Sequence, residues 1–376
     1  MMARATRTLA TVATLFGAGL TLAASGAPAG EAAPVAAPSG AAAAGPSLKG
    51  TLPVPALWAA WKAKFLTPEG RVIDDANGGV SHTEGQGYGM LLAVAADDRD
   101  TFRSLWSWTR AHLYVRKDGL GAWRWQPGPA PNVRDPNNAS DGDILIAWAL
   151  AEAGEAWEDT AATAAARRIA RAVFAQNVIK TRFGATLLPG ASGFRAGDRK
   201  DGPVVNPSYW VFPAFARLGA LTPDLDWAGL TASGEKLLGE ARFGPANLPS
   251  EWVSLAGETI RPADGFAPTF GYNAVRIPLH LAWAEGGRRE RLAPYMARWA
   301  KPDGTVAMSV VDLPSGQDGE RFGDLGYRAV AAVVACALEG TRFPDDLRGP
   351  EMDRYYPTTL RALALVAINS RHPTCW

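Results

Sequence analysis

Residues 140–154, SDGDILIAWALAEAG, decide the fold class, because four polar or small residues lead into a helical segment that is apolar nearly all round. A helix without a polar face has to be buried among other elements. The segments near 85–97 and 323–339 have the same character, whereas those near 158–178 and 288–299 carry Arg and Glu on one face. Buried helices therefore alternate with surface helices, which predicts an inner ring of helices surrounded by an outer ring.

Helical periodicity covers most of the chain after Val54, in segments separated by loops rich in Gly, Pro, Asn and Asp. It predicts helices near residues 54–66, 85–97, 99–116, 142–154, 158–178, 208–219, 223–241, 273–286, 288–299, 323–339 and 354–370. Runs of alternating β-branched residues are nearly absent, which disfavours a β-sandwich lectin or a parallel-sheet enzyme. The predicted fold class is all-α, a closed double ring in which the residues ahead of the inner helices collect at one end.

The first 50 residues differ in composition from the rest of the chain. Residues 1–27 carry Arg4 and Arg7 ahead of an apolar stretch of about 15 residues, which is typical of a secretory signal and shorter than the about 20 residues that span a bilayer. Residues 28–50 are rich in Ala, Pro and Gly and are predicted to be a disordered linker. We therefore expect one domain over 51–376, periplasmic or secreted, with no membrane contact once the signal is removed.

Charge and composition favour a neutral partner. The net charge is +1, from 38 basic and 37 acidic residues spread along the chain, so no basic footprint for nucleic acid or anionic membrane is present. The 14 Trp residues provide either core packing or flat platforms for sugar rings. Two cysteines, Cys336 and Cys375, leave room for a single disulfide after export, and the four scattered His residues lack metal-ligand spacing, so we expect no metal and no cofactor.

Two polar motifs precede buried helices. In the first, residues 81–90 (SHTEGQGYGM), Thr83 or Glu84 is either a helix cap or a group facing out of the ring end. Three glycines here lower helix propensity with no evident packing return, which favours a functional reading of Glu84. In the second, residues 137–143 (NNASDGD), we expect one of Asp141 and Asp143 to cap the helix and the other to bind something else, such as sugar hydroxyls.

Two further motifs bring aromatic and polar residues to helix starts. They are residues 206–210 (NPSYW) and residues 270–279 (FGYNAVRIPL). Arg276 lies at the start of an apolar helix, where an unpaired buried charge would be too costly. We therefore expect a carboxylate partner for it, either Asp141 or Glu84.

The order of these four motifs resembles glycoside hydrolase family 8, over roughly residues 54–370, and within it the periplasmic endoglucanases that accompany bacterial cellulose synthesis. The resemblance implies an (α/α)6 barrel and inverting hydrolysis of a β-1,4-glucan such as cellulose. It assigns the general acid to Glu84 and a sugar contact at the cleaved bond to Asp141. Substrate-binding positions that match the family are Trp125, Tyr209, Tyr272 and Arg276.

One position departs from the family pattern. Asn273 stands where the best-known endoglucanases of the family have an Asp that serves as the general base, and an amide cannot accept the proton of the attacking water. An inverting enzyme needs a second carboxylate for that step. The sequence offers five candidates without ranking them: Asp141, Asp264, Asp312, Asp318 and Glu320.

Three functional hypotheses follow. The first is an endo-β-1,4-glucanase acting on cellulose-type glucan, with the cellulose synthase machinery as a partner. The second is a glucan-binding protein of the same fold that hardly cleaves its ligand, because Asn273 replaces the base. The third is an enzyme of the same family that acts on another β-1,4-glycan.

Overall fold

The computed structural model describes residues 45–284, 289–303 and 305–376. These residues form eleven α-helices, which confirms the number that the periodicity predicts: α1 (Pro55–Phe65), α2 (Thr83–Ala95), α3 (Arg99–His112), α4 (Ser140–Ala156), α5 (Thr160–Asn177), α6 (Phe212–Leu221), α7 (Trp227–Glu240), α8 (Arg276–Trp283), α9 (Arg289–Trp299), α10 (Leu325–Glu339) and α11 (Tyr355–Arg371). The predicted helix 208–219 is divided into a 3₁₀ turn (Pro207–Tyr209) and α6.

Six of these helices form a closed inner ring. Helix α2 packs against α4, α4 against α6, α6 against α8, α8 against α10, α10 against α11, and α11 against α2. The remaining helices lie outside: α3 packs on α2, α5 on α4 and α6, α7 on α6, α9 on α8 and α10, and α1 on α11. The predicted double ring is thus confirmed, and the apolar segments are the inner helices.

Burial explains why the inner helices have no polar face. Every residue of α4 from Ser140 to Gly154 is buried, because α2, α5 and α6 surround it. Each fully buried Leu or Ile side chain of such a helix contributes about 1.5–3 kcal/mol. By contrast, α5 buries only the face that carries Ile169 and Val173 and exposes its arginines, as an outer helix should.

The glycines of α2 and α4 let these two helices approach closely at their first turns. A Cβ on Gly87 would lie 2.7 Å from the Leu145 Cβ, and a Cβ on Gly142 would lie 2.1 Å from the Thr83 Oγ1. The expectation that the glycines of residues 81–90 bring no packing return is therefore wrong. They fix the distance between the two helices that carry Glu84 and Asp141.

Ten short strands lie in the connections of the described chain: β1 (Ser81–His82), β2 (Arg124–Trp125), β3 (Val178–Thr181), β4 (Gly184–Leu187), β5 (Val204–Val205), β6 (Val253–Ser254), β7 (Arg261–Pro262), β8 (Thr269–Phe270), β9 (Ser309–Asp312) and β10 (Asp318–Arg321). All pairs are antiparallel: β1 pairs with β2 and β3 with β4, while β6 lies between β5 and β7, and β9 lies between β8 and β10. The first pair joins His82 to Arg124 at the entrance of α2. These strands support the loops and do not form a core sheet.

The N-terminal segment of the described chain packs against the barrel. Leu48 is 3% exposed, and its backbone N–H donates to the Glu152 Oε2 at 3.1 Å. The Gly45 carbonyl accepts a hydrogen bond from Arg217. The prediction of a disordered linker over residues 28–50 is therefore wrong for residues 45–50, because the Leu48 side chain packs into the hydrophobic core of the barrel. The predicted signal, residues 1–27, and linker residues 28–44 lie outside the described residues.

The C-terminus is fixed by the disulfide between Cys336 on α10 and Cys375, with Cα atoms 6.1 Å apart. The bridge that the sequence leaves open is therefore formed. The Cys375 carbonyl also accepts a hydrogen bond from the Phe343 N–H, which ties the connection between α10 and α11 to the chain end. No helix within the described ranges is long and apolar enough to cross a membrane.

Candidate active site

An open cavity of about 610 Å³ lies where the N-termini of the inner helices meet. All six inner helices, or the turns that lead into them, contribute to its wall: Glu84 for α2, Asp141 for α4, Tyr209 for α6, Asn273 and Arg276 for α8, Asp324 and Tyr327 for α10, and Tyr356 and Pro357 for α11. The expectation that polar residues ahead of the inner helices collect at one end is confirmed.

Arg276 is the centre of this site. Its side chain is 1% exposed, and its Nη1 donates to the Glu84 Oε2 at 2.6 Å and to the Asp141 Oδ2 at 3.0 Å. Its Nη2 donates to the Ser208 Oγ at 2.9 Å and to the Asn273 Oδ1 at 3.1 Å. One guanidinium therefore joins all four sequence motifs, and both of its predicted carboxylate partners are present.

The charges of the site are unequal. Burial raises the pKa of Asp141 to about 6, although the positive charge of Arg276 acts in the opposite direction. Burial lowers the pKa of Arg276, but the surrounding negative charges, that of Glu84 first, outweigh it and raise that pKa well above its ordinary value. One cation thus serves two carboxylates. The six helix N-termini around the cavity, each with a partial positive charge, favour the remaining negative charge.

Glu84 is free to face the cavity because another residue caps its helix. The N-cap of α2 is His82, whose Nδ1 accepts from the Gly85 N–H at 2.9 Å. The capping alternative for Thr83 and Glu84 is therefore wrong. The Glu84 side chain is 20% exposed and makes its hydrogen bond to Arg276, so one carboxylate oxygen remains for a ligand.

The two carboxylates of the second motif have different surroundings, but neither caps α4 as expected. Asp141 faces Arg276 and also accepts from the Gly142 N–H at 2.8 Å. Asp143 points away from the cavity and accepts from the Gly121 N–H, the Tyr114 hydroxyl and the Asn138 amide. Burial raises the pKa of Asp143 to about 7. By accepting these three hydrogen bonds, Asp143 fixes the segment that precedes α4.

Of the predicted aromatic residues, Tyr209 and Tyr272 line the cavity, as does Trp123. Trp125 is not among the lining residues. The Arg71 guanidinium lies 5.0 Å from the centre of its ring, and Trp108 contacts it edge-on. Trp123, two residues earlier, is the tryptophan of this segment that lies on the cavity wall.

Asn273 has a fixed orientation. Because Arg276 only donates, the atom that faces its Nη2 at 3.1 Å is the Asn273 carbonyl oxygen, which leaves the amide nitrogen for the cavity. The Asn273 backbone N–H donates to the Glu251 Oε1 at 2.6 Å. The Glu251 contact was not anticipated from the sequence, since 22 residues separate the two and no local pattern links them.

The five predicted candidates for the general base lie in different places. Glu320 lines the cavity and hydrogen-bonds Tyr272, and Asp141 lines it but is committed to Arg276. The other three lie off the cavity wall: Asp264 pairs with Arg261, Asp312 accepts from Ser315, and Asp318 bonds Ser309 and Arg298.

The sequence interpretation missed Asp324. This residue lines the cavity at the N-cap position of α10, yet its side chain makes no capping hydrogen bond. Burial and the nearby Asp353 raise its pKa, against the effect of Arg354. The available signal was the one used for the other motifs, a carboxylate directly ahead of an apolar helix. Within 45–284, 289–303 and 305–376, no group of three or more His, Cys, Asp or Glu residues is arranged to hold a metal ion.

Comparison with known proteins agrees with this geometry. The family model "Glycosyl hydrolases family 8" matches residues 38–370. An endoglucanase of Cellulomonas uda is 41% identical over 241 residues, which are 64% of this chain and 66% of that protein. A probable endoglucanase of Novacetimonas hansenii is 36% identical over 312 residues, which are 82% of this chain and 89% of that protein.

Two solved structures resemble this chain in both fold and sequence. Endoglucanase Cel10 of Klebsiella pneumoniae, described as a family 8 glycosyl hydrolase, has a TM-score of 0.75 and 36% identity, and the match covers 84% of this chain and 99% of that one. The endo-β-1,4-glucanase CMCax of Acetobacter xylinum has a TM-score of 0.74 and 35% identity, with 85% and 98% covered.

Proposed function

The chain belongs to glycosyl hydrolases family 8, and on this basis we propose that it is an endo-β-1,4-glucanase that hydrolyses cellulose-type glucan. The observation that carries the proposal is the pair of carboxylates, Glu84 and Asp141, on one buried arginine in the wall of an open cavity. Tyrosine and tryptophan rings around this pair offer flat apolar faces to sugar rings.

Glu84 is the general acid of this proposal. It gives its proton to the glycosidic oxygen as the bond from that oxygen to the anomeric carbon breaks. A water molecule bonds to the anomeric carbon from the opposite face and loses a proton to a base, so that the anomeric configuration inverts. The Glu84 carboxylate is then anionic beside Arg276 at 2.6 Å, a contact that stabilises the charge that forms.

Asp141 and Asn273 bind the sugar at the cleaved bond. The Asp141 carboxylate accepts a hydrogen bond from a sugar hydroxyl, and Arg276 holds it in place at 3.0 Å. The amide nitrogen of Asn273, which the Arg276 contact turns toward the cavity, donates to the attacking water or to a sugar oxygen.

The general base of this proposal is Asp324. Its carboxylate is half-buried and not used as a helix cap, and its raised pKa makes it a better proton acceptor than an exposed acid. Its position on an inner helix is also more rigid than that of Glu320, which is exposed on the β9–β10 hairpin and bonded to Tyr272.

Substrate and location follow from charge and composition. A net charge of +1 suits a neutral glucan. The signal-like residues 1–27 support export to the periplasm or beyond, where a cellulose synthase would supply the polymer.

The test is the release of new reducing ends from carboxymethyl-cellulose. We expect Glu84→Gln and Asp324→Asn each to lose about 10²–10⁴ in kcat. Glu320→Gln is the matched control for Asp324→Asn and should lose less than about tenfold, since it changes only a contact with Tyr272. A large loss in Glu320→Gln with none in Asp324→Asn would transfer the base to Glu320.

The same assay decides between hydrolysis and binding alone, a question that the amide at position 273 raises. If the protein only binds glucan, the native chain releases no reducing ends and the Asn273→Asp variant gains hydrolytic activity. An active native chain that Glu84→Gln inactivates supports the hydrolase.

A further inference from the structure

The cap of α2 is unusual in its chemistry. Ser, Thr, Asp and Asn are the preferred N-cap residues, whereas here a histidine ring accepts the Gly85 N–H through its Nδ1 at 2.9 Å. Gly85 directly follows Glu84 in the first turn of α2, so the cap acts on the backbone that carries the acid. The ring is nearly buried, with 19% of the side chain exposed.

The second ring nitrogen is also engaged. The His82 Nε2 lies 3.5 Å from the Oδ2 of Asp74, whose side chain is 5% exposed. Asp74 itself is fixed, because its carboxylate accepts from the Ala76 N–H at 3.0 Å and from the Asn77 amide at 2.6 Å. With both nitrogens facing protein groups, His82 has none left for a sugar, although it lies in the cavity wall.

We propose that Asp74 and His82 form a positioning pair that holds the first turn of α2, and with it Glu84, in the orientation needed for proton donation. The inference rests on the role of Glu84 proposed above. Asp74 selects the neutral imidazole with its proton on Nε2, which leaves Nδ1 free to accept from Gly85. Gly85 is required because a Cβ there would lie 3.1 Å from the imidazole Cε1 and 2.8 Å from the Tyr355 hydroxyl.

The pair gives the site a defined response to acid. A proton added to the Nδ1 of His82 removes the acceptor of the cap. The groups that face the ring are Asp74, Glu84, Asp141 from α4, and Tyr355 from α11, whose ring centre is 6.0 Å away. Burial lowers the pKa of His82, but the hydrogen bond to Asp74 and the charges of the three carboxylates outweigh it and raise that pKa.

The experiment compares His82→Ala, His82→Asn and Asp74→Asn by kcat, KM and pH profile on carboxymethyl-cellulose. His82→Ala should lose about 10²-fold in kcat, the typical effect of a small misplacement of a catalytic group, with KM within about threefold. His82→Asn should recover most of kcat, because Asn is a good N-cap and does not titrate. Asp74→Asn removes a charge that raises the pKa of His82, so its loss of activity on acidification should move to lower pH.

Asp226→Ala is the control for the loss of a cap as such. Asp226 caps the outer helix α7 by accepting from the Gly229 N–H at 2.8 Å, and it does not line the cavity. This variant should lower the melting temperature as His82→Ala does and keep the native kcat.

Two results would overturn the inference: His82→Ala with the native kcat and pH profile, or a folded His82→Asn that stays as inactive as His82→Ala. Either result with an inactive Glu84→Gln leaves the proposed function standing. Activity in Glu84→Gln would instead remove the premise. Should His82→Ala fail to fold, the direction of the pH shift in Asp74→Asn still decides.

Discussion

The two ends of the helical ring each hold a buried arginine paired with carboxylates, and they differ in how they are closed. At the N-terminal end of the inner helices, Arg276 serves both Glu84 and Asp141 beside a cavity of about 610 Å³. At the other end, Arg217 lies 2.8 Å from Glu152, next to a void of only about 40 Å³.

The closed end satisfies its polar groups with the chain itself. Glu152 accepts from the Leu48 N–H at 3.1 Å and the Trp148 Nε1 at 3.0 Å, in addition to Arg217. Arg217 also donates to the Gly45 carbonyl and pairs with Glu155. The open end also has two carboxylates on one cation, but there one oxygen of the Glu84 carboxylate remains for a ligand. The same ion-pair chemistry therefore stabilises the fold where the chain covers it and is available for catalysis where it remains accessible.

The largest effect is expected from removing either arginine. Arg276→Met and Arg217→Met each leave a buried carboxylate without its cation, so each should lower the free energy of unfolding by about 3–5 kcal/mol. Only Arg276→Met should also reduce kcat/KM, by about 10²–10³, because only this arginine touches the reacting groups. Urea unfolding and the reducing-end assay measure the two effects. Equal activity losses in both variants would contradict the division between the ends.

The next effect concerns the seal at the closed end. A chain that begins at Thr51 lacks the buried Leu48 side chain and its hydrogen bond to Glu152, and should be less stable than a chain that begins at Gly45 by about 2–4 kcal/mol. The kcat of the two chains should agree, because the active site is at the opposite end. The same unfolding free energy for both would show that residues 45–50 add nothing to the fold.

Much of the fold could be predicted from the sequence because the inner helices are apolar on all sides, and only burial on all sides allows that. The interpretation of the polar motifs was less complete. A carboxylate ahead of a helix suggests a cap by local pattern, but the cap of α2 is His82, and Asp143 binds the loop around Gly121. Gly121 is 22 residues away from Asp143 in the sequence, so no local pattern links them. His82 is close to its helix, but histidine is an uncommon N-cap residue.

Other parts of the site depend on distances that no local pattern carries. Residues 45–50 have the composition of a linker, yet one leucine and two backbone groups suffice to pack them. Trp123 and Trp125 belong to the same short segment, and no local pattern tells which ring lines the cavity and which one lies against Arg71. Asp324 directly precedes an apolar helix, as the carboxylates of the other motifs do, but its place in the cavity wall depends on the packing of distant segments.

The smallest change in stability, and the sharpest test of the comparison, is expected from Asp141→Asn. Burial raises the folded pKa of Asp141 to about 6 from an ordinary value of 3.8, so its contribution to stability is full below about pH 4 and is lost as the pH rises through about 6. Asn does not titrate, and Arg276 keeps Glu84 as a partner at 2.6 Å. At pH 8 the free energy of unfolding of the variant should therefore lie within about 1 kcal/mol of that of the native protein, or above it. The kcat should fall roughly 10²-fold, because the sugar contact is lost.

Glu152→Gln is the counterpart at the closed end, where Arg217 would lose its buried partner. There we expect the free energy of unfolding to fall and kcat to stay unchanged. A large loss of stability in Asp141→Asn at pH 8 would mean that the open end is built for the fold as much as the closed one.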